Sequence, residues 1–357
     1  MANPKLKHII QIDGLRFFAV FGVIISHYVL DHVNNDIIRK IPFGTGVNLF
    51  FVISGYLITT ILFNKKQAVE NGLSTYTIEI KNFFAKRILR IFPLYYIVIL
   101  SLFIFNYHEI ESYYMYLVTF TTNIYMTFHN TYIGSKTHLW SLAVEEQFYI
   151  IWPFIIFFMK RKHFLNIFLI LLFISLGSKF YFLNYTEWQI GANAFLSSCF
   201  DALSLGALLA YLQLYHIVVL EKILSKIALV FLILLYVALF IFPDLLPQTW
   251  KSFLGNFFTS IIYFYIVGLA SQNKFRGIVK YSLENKVVLY LGKISYGIYI
   301  IHNFMPEMFY SFFAKKLPPT DEYGIKVIYW ISLTILLASI SWYVIERPAL
   351  KLKKYFN

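Results

Sequence analysis

The chain has 357 residues, of which 59% are hydrophobic and only 14% charged. Soluble domains carry about 25% charged residues, so an ordinary water-soluble fold is excluded and an all-α polytopic membrane bundle is expected. The net charge of +13 does not call for nucleic acid, because basic residues of membrane proteins collect on the cytoplasmic side.

Ten apolar stretches predict ten transmembrane helices, near 15–33, 46–64, 91–107, 139–159, 164–184, 196–214, 228–243, 254–271, 287–305 and 326–345. The first has no evident cleavage site and keeps Arg16 and His27, so it reads as a span rather than a removed signal. Arg16 and His27 are eleven positions apart. At ~100° and ~1.5 Å per residue they share a helix face, with His27 roughly 16 Å farther along the axis. An ionisable side chain at that depth is a functional candidate by default; the competing reading is a histidine hydrogen-bonded within the bundle. The second stretch carries Ser54. Lys86, Arg87 and Arg90 precede the third. Arg87 and Arg90 share a face, and their guanidinium forks suit phosphate oxygens, although spacing alone favours a positive-inside anchor on lipid head groups.

The stretch 113–130 is apolar enough to enter a membrane. Counting it as a span would turn Lys160, Arg161 and Lys162 outward, so it is expected to be re-entrant or interfacial on the outer side. With that topology 22 of the 31 Lys and Arg fall inside, 7 fall outside and both ends are cytoplasmic. The fourth span holds the adjacent carboxylates Glu145 and Glu146, which point about 100° apart, so only one can face a narrow site. Asp201 and His302 lie in the sixth and ninth spans. Counted from the outer ends, Ser54, Glu145, Asp201, His302 and His27 all fall in one outer-half layer, roughly 8–14 Å deep. A water-filled cavity would accommodate them.

Cys199 is the single cysteine. That excludes an intrachain disulfide and a cysteine metal cluster, and no metal site is expected. Packing explains an apolar-flanked thiol better than nucleophilic chemistry. Without internal repeats or linkers, the expectation is one membrane domain over 10–348 and a basic cytoplasmic tail over 349–357, with no appended soluble domain.

Six segments in order resemble the acyltransferase 3 family of integral membrane proteins. They are the Arg16–His27 spacing, NLFFVISGYLIT (48–59), FFAKRILRIFPLYY (83–96), HLWSLAVEEQFYIIWP (138–153), LGKISYGIYIIH (291–302) and IERP (345–348). The resemblance implies ten helices with cytoplasmic termini in a bacterial inner membrane. It implies transfer of an acyl group, commonly acetyl from acetyl-coenzyme A, to a hydroxyl of an extracytoplasmic glycan or lipid-linked sugar. The family glutamate falls at Glu145, and the motifs make Trp140, Ser141, Asp201 and His302 candidates for substrate contact. One departure is Cys199, two residues before Asp201, where the family pattern has arginine.

Under that resemblance His27 would act as base toward the acceptor hydroxyl, or would itself carry the acyl group. Glu145 would orient the imidazole, as the acid of a catalytic triad does. Arg87 and Arg90 would hold the phosphates of coenzyme A. Arg16 would hold a donor phosphate or carbonyl, and Ser54 with Gly55 would allow close approach of backbone to the donor. Expected partners are the glycan acceptor and membrane lipids, with no nucleic acid. The alternative is a secondary transporter or flippase for a sugar-lipid, which would share the buried polar residues and basic inner loops.

Overall fold

A computed structural model describes residues 9–30, 41–105, 110–241, 247–309 and 323–356. Among them there is no β-strand. The long helices in chain order are α1 (Ile10–Tyr28), α2 (Gly46–Glu70) and α3 (Tyr76–Ile104). Two short helices follow, α4 (Ile110–Val118) and α5 (Thr122–His129). Next come α6 (Trp140–Phe158), α7 (Phe164–Tyr185), α8 (Phe200–Tyr215), α9 (Lys226–Tyr236) and α10 (Gln248–Ser271). The last are α11 (Lys286–Lys293), α12 (Ser295–His302) and α13 (Tyr323–Ser341).

Eight helical segments are long and apolar enough to cross a membrane. The other two expected spans take different forms. The seventh is the short α9, extended by a π-helical turn over Val237–Ile241. The ninth is divided into α11 and α12 at Ile294. The stretch 113–130 forms α4 and α5, of nine and eight residues. At ~1.5 Å per residue neither can span a ~30 Å hydrocarbon core. Phe120 turns the chain between them with φ 54°. The turn is held from the bundle side, where Gln147 of α6 donates to the Phe120 carbonyl at 2.9 Å. The Tyr95 and Tyr96 hydroxyls of α3 donate to the Leu117 and Val118 carbonyls.

The bundle is built around α2 and α8, whose apolar windows are two-thirds buried, while those of α3, α7 and α13 are only 28% buried. The exposed apolar side chains of the outer helices, such as Leu100 and Phe103 of α3 and Ile170 and Phe173 of α7, are the surface a bilayer would cover. Two glycines bring the central pair together. A Cβ on Gly55 would lie 2.2 Å from the Leu203 carbonyl oxygen, and one on Gly206 would lie 2.2 Å from that of Val52. Small residues at such crossings let backbones touch where helix association depends on close packing. Gly55, expected to admit substrate, is occupied by this crossing.

Candidate active site

A cavity of about 310 Å³ opens among α1, α2, α3, α6 and α12, and the C-terminal segment closes part of its wall. Its cations are Arg16 from α1, Arg87 and Arg90 from α3, and Lys353. Ser54, Ser141, Glu145, Tyr149 and Tyr299 supply hydroxyls and a carboxylate.

Local helix geometry explains this grouping. Glu145 and Tyr149 are one turn apart on α6, and the tyrosine hydroxyl donates to Glu145 Oε2 at 3.2 Å. That leaves the same hydroxyl as acceptor for Ser54 of α2, with which it is hydrogen-bonded. The face of Tyr149 also meets the Arg87 guanidinium, 5.7 Å from the ring centroid. Arg87 lies 5.8 Å from the Phe83 ring as well. Its Nε is buried with no hydrogen-bond partner. A buried guanidinium N–H without an acceptor, beside three other cations, suits an anionic ligand group. Arg16 pairs with Asp13 at 3.2 Å, one turn earlier.

The two adjacent carboxylates separate as the helix geometry requires. Glu145 lines the cavity. Glu146 is turned into the packing, 8% exposed, with Oε1 unpartnered.

His27 and His302 meet although they are 275 positions apart. His27 Nδ1 lies 3.0 Å from His302 Nε2, and the rings stack at 5.1 Å. His302 Nδ1 lies 2.6 Å from the Tyr299 carbonyl oxygen. A carbonyl only accepts, so the proton of a neutral His302 sits on Nδ1. Its Nε2 is then an acceptor, and the proton of His27 must sit on Nδ1. His27 Nε2 is consequently the nitrogen with the lone pair. The partner that sets this tautomer is His302, where the triad analogy expected Glu145.

His302 is fully buried. It contacts His27 and the backbone, whereas the sequence expectation gave it a substrate. The pair reaches the cavity through Tyr299. That side chain lines the cavity wall, and its hydroxyl accepts from Ser141 at 2.5 Å and donates to the His138 carbonyl at 2.8 Å. His27 itself is half-buried and is not among the lining residues.

The remaining candidates stand apart. Trp140 packs edge-on against Phe51 at 6.0 Å and is not in the cavity wall. Asp201 is 2% exposed and paired with Lys179 of α7. The cation beside Asp201, expected at position 199 from the resemblance, comes here from α7 as Lys179. Cys199 contacts the Asn193 carbonyl at 3.3 Å instead. Of the five residues expected in one layer, Ser54 and Glu145 line the cavity, His27 meets His302, and Asp201 pairs with Lys179.

Sequence reasoning missed Tyr149, Tyr299, His138 and Lys353. Tyr149 was detectable as the residue one turn after Glu145. Nothing in the spacing of the C-terminal lysines marks Lys353 from its neighbours.

A family model described as an acyltransferase domain matches residues 9–346. The chain belongs to the acyltransferase 3 family. It is 27% identical over 388 residues to the O-acetyltransferase OatA of Staphylococcus aureus strain NCTC 8325, covering 98% of this chain and 58% of that protein. A provisionally named O-acetyltransferase of S. aureus strain COL is 28% identical over 371 residues, covering 96% of this chain and 58% of its own. The chain thus spans somewhat under three-fifths of the length of these curated relatives. No solved structure matches it.

Proposed function

We propose that this chain is a membrane O-acyltransferase that moves an acetyl group from cytoplasmic acetyl-coenzyme A to a hydroxyl of an extracytoplasmic glycan or glycolipid. The termini would lie in the cytoplasm, with the Arg16, Arg87, Arg90 and Lys353 end facing inward. The observation that carries the reading is one cavity that joins these four cations to Tyr299, whose carbonyl fixes the His302–His27 pair.

The cations would bind the phosphates of the donor, and the unpartnered Nε of Arg87 gives one of them a ready hydrogen bond. The acyl thioester would then point along Ser54, Glu145 and Ser141. In direct transfer, His27 Nε2 removes the proton of the acceptor hydroxyl as its oxygen attacks the thioester carbonyl. The C–S bond breaks, and the proton passes to the departing thiolate. In the two-step route the same nitrogen attacks the thioester carbonyl, the C–S bond breaks and the thiolate departs, leaving an acyl-imidazole. The sugar oxygen then takes the acyl group as the N–C bond breaks, and the hydroxyl proton passes to the thiolate. Both routes start from the Nε2 lone pair, so the His302 contact serves both.

The test is transfer of radiolabelled acetate from acetyl-coenzyme A to envelope polysaccharide by the protein in lipid nanodiscs. Label in alkali-labile ester on the glycan is expected, and it should vanish in His27→Ala. A protein that carries sugar-lipid across vesicles but transfers no label would support the transporter reading instead.

A further inference from the structure

A second pocket, of about 370 Å³, is formed by the loop before α6 together with α4 and the segment after α12. We propose that this pocket, built by Tyr113, Tyr132, Ser135, Lys136 and Glu307, binds a neutral pyranose ring of the acceptor glycan. The proposal rests on the acyltransferase reading and names where its acceptor docks.

The volume lies in the range of small-molecule sites. The lining has the chemistry a neutral sugar needs. The exposed Tyr132 offers an aromatic side chain to the C–H side of a ring, and Tyr113 adds an aromatic wall. Glu307 accepts from hydroxyls, and Ser135 and Lys136 donate. Ser135 Oγ is already turned to Glu307 Oε2 at 3.1 Å, and the Lys136 ammonium sits 5.4 Å from the Tyr113 centroid. Among the described lining residues one cation faces one carboxylate, whereas the first cavity sets four cations against Glu145. A phosphorylated ligand would meet the Glu307 carboxylate, so the two pockets select different chemistry.

The pocket is also tied to the histidine pair. The Ser135 carbonyl accepts from Asn303 Nδ2 at 2.9 Å, and His138 Nδ1 lies 2.9 Å from it. Asn303 directly follows His302 in the chain. The other nitrogen of His138 is 3.0 Å from the Ile300 carbonyl, and its ring is 4.9 Å from that of His302. These contacts fix the loop bearing Ser135 and Lys136 to α12 and its end, where His302 contacts His27 of α1. A sugar bound there would be held by elements already registered to the reacting imidazole. The loop that lines this pocket leads directly into α6, whose N-terminal half carries Ser141, Glu145 and Tyr149 of the first cavity.

The experiment uses the full chain in nanodiscs, radiolabelled acetyl-coenzyme A and graded amounts of envelope polysaccharide from the producing cells. Tyr132→Ala and Glu307→Gln are compared with the parent. Tyr132 is 66% exposed, so truncating it removes no packed core. Both variants should raise the polysaccharide concentration for half-maximal transfer by about fivefold or more, as loss of a directed contact predicts. Binding of acetyl-coenzyme A, measured by equilibrium dialysis, should stay unchanged. Transfer within about twofold of the parent in both variants would overturn the acceptor pocket and leave the acyltransferase reading standing. So would an equal loss of donor binding and transfer. A parent protein that labels polysaccharide no better than His27→Ala would instead remove the acyltransferase reading itself.

Discussion

His27 Nδ1 and His302 Nε2 face each other at 3.0 Å, and the Tyr299 carbonyl on the far side of His302 dictates which of them donates. The contact orders the protons of the pair in one direction and leaves Nε2 of His27 as the basic nitrogen.

Replacing His27 with alanine is expected to reduce acyl transfer by about 10²-fold or more, the least that a lost base or nucleophile contributes. Membrane insertion should persist. Glycan-bound acetate at matched protein abundance is the measurement, and activity above about a tenth of the parent would contradict the role.

His302 is a positioning residue, and its variants should divide by hydrogen-bonding capacity. His302→Leu removes the acceptor for His27 Nδ1 and should lower kcat by roughly tenfold to a hundredfold, with the KM for acetyl-coenzyme A unchanged. His302→Gln restores an acceptor oxygen near the Nε2 position and should recover part of kcat. Equal activity of the two variants would show that packing, not the tautomer, is what His302 provides.

The basic cavity wall should act on the donor. Arg87→Gln, Arg90→Gln and Lys353→Gln are each expected to raise the KM for acetyl-coenzyme A, with little change in acceptor preference. Arg87 should have the largest effect, since its Nε already lacks a partner. A charged hydrogen bond contributes about 1.5–3 kcal/mol, or roughly tenfold to a hundredfold in KM. A change in orientation or abundance alone would leave the positive-inside anchor as the explanation.

The Lys179–Asp201 pair should behave as structure. Both side chains are nearly inaccessible, so Lys179→Met strands a buried carboxylate and should cost about 3–5 kcal/mol of stability. The double variant Lys179→Met, Asp201→Leu should recover most of the loss in detergent thermal melts. A double variant as unstable as the single one would imply that Asp201 has another role.

Sidedness can be read by cysteine labelling in a Cys199→Ser background. Tyr132→Cys and Lys162→Cys both place the probe on exposed positions, at the two ends of α6. An impermeant thiol reagent should reach position 132 in intact cells and position 162 only after the membrane is opened. The reverse pattern would invert α6 and turn the basic cavity outward.

The sequence by itself determined the all-α membrane class and the position of most spans. It also indicated that 113–130 is not an ordinary span, and the structure divides that stretch into two helices each too short to cross. These are properties of single segments: a bilayer demands a certain apolar length, and charge is sorted by side. Helical spacing likewise put Arg87 with Arg90 and separated Glu145 from Glu146. Only the tertiary structure decided which polar groups meet. Periodicity gives a residue its face and depth, but not which helix stands opposite. Hence α1 finds α12 across 275 positions, Asp201 turns to Lys179, and Lys353 joins the arginines. Gly55 serves a helix crossing rather than a substrate because α8 lies against that face of α2. The proton of His302 is set locally, by the Tyr299 carbonyl one turn earlier on α12, but its meeting with His27 is tertiary.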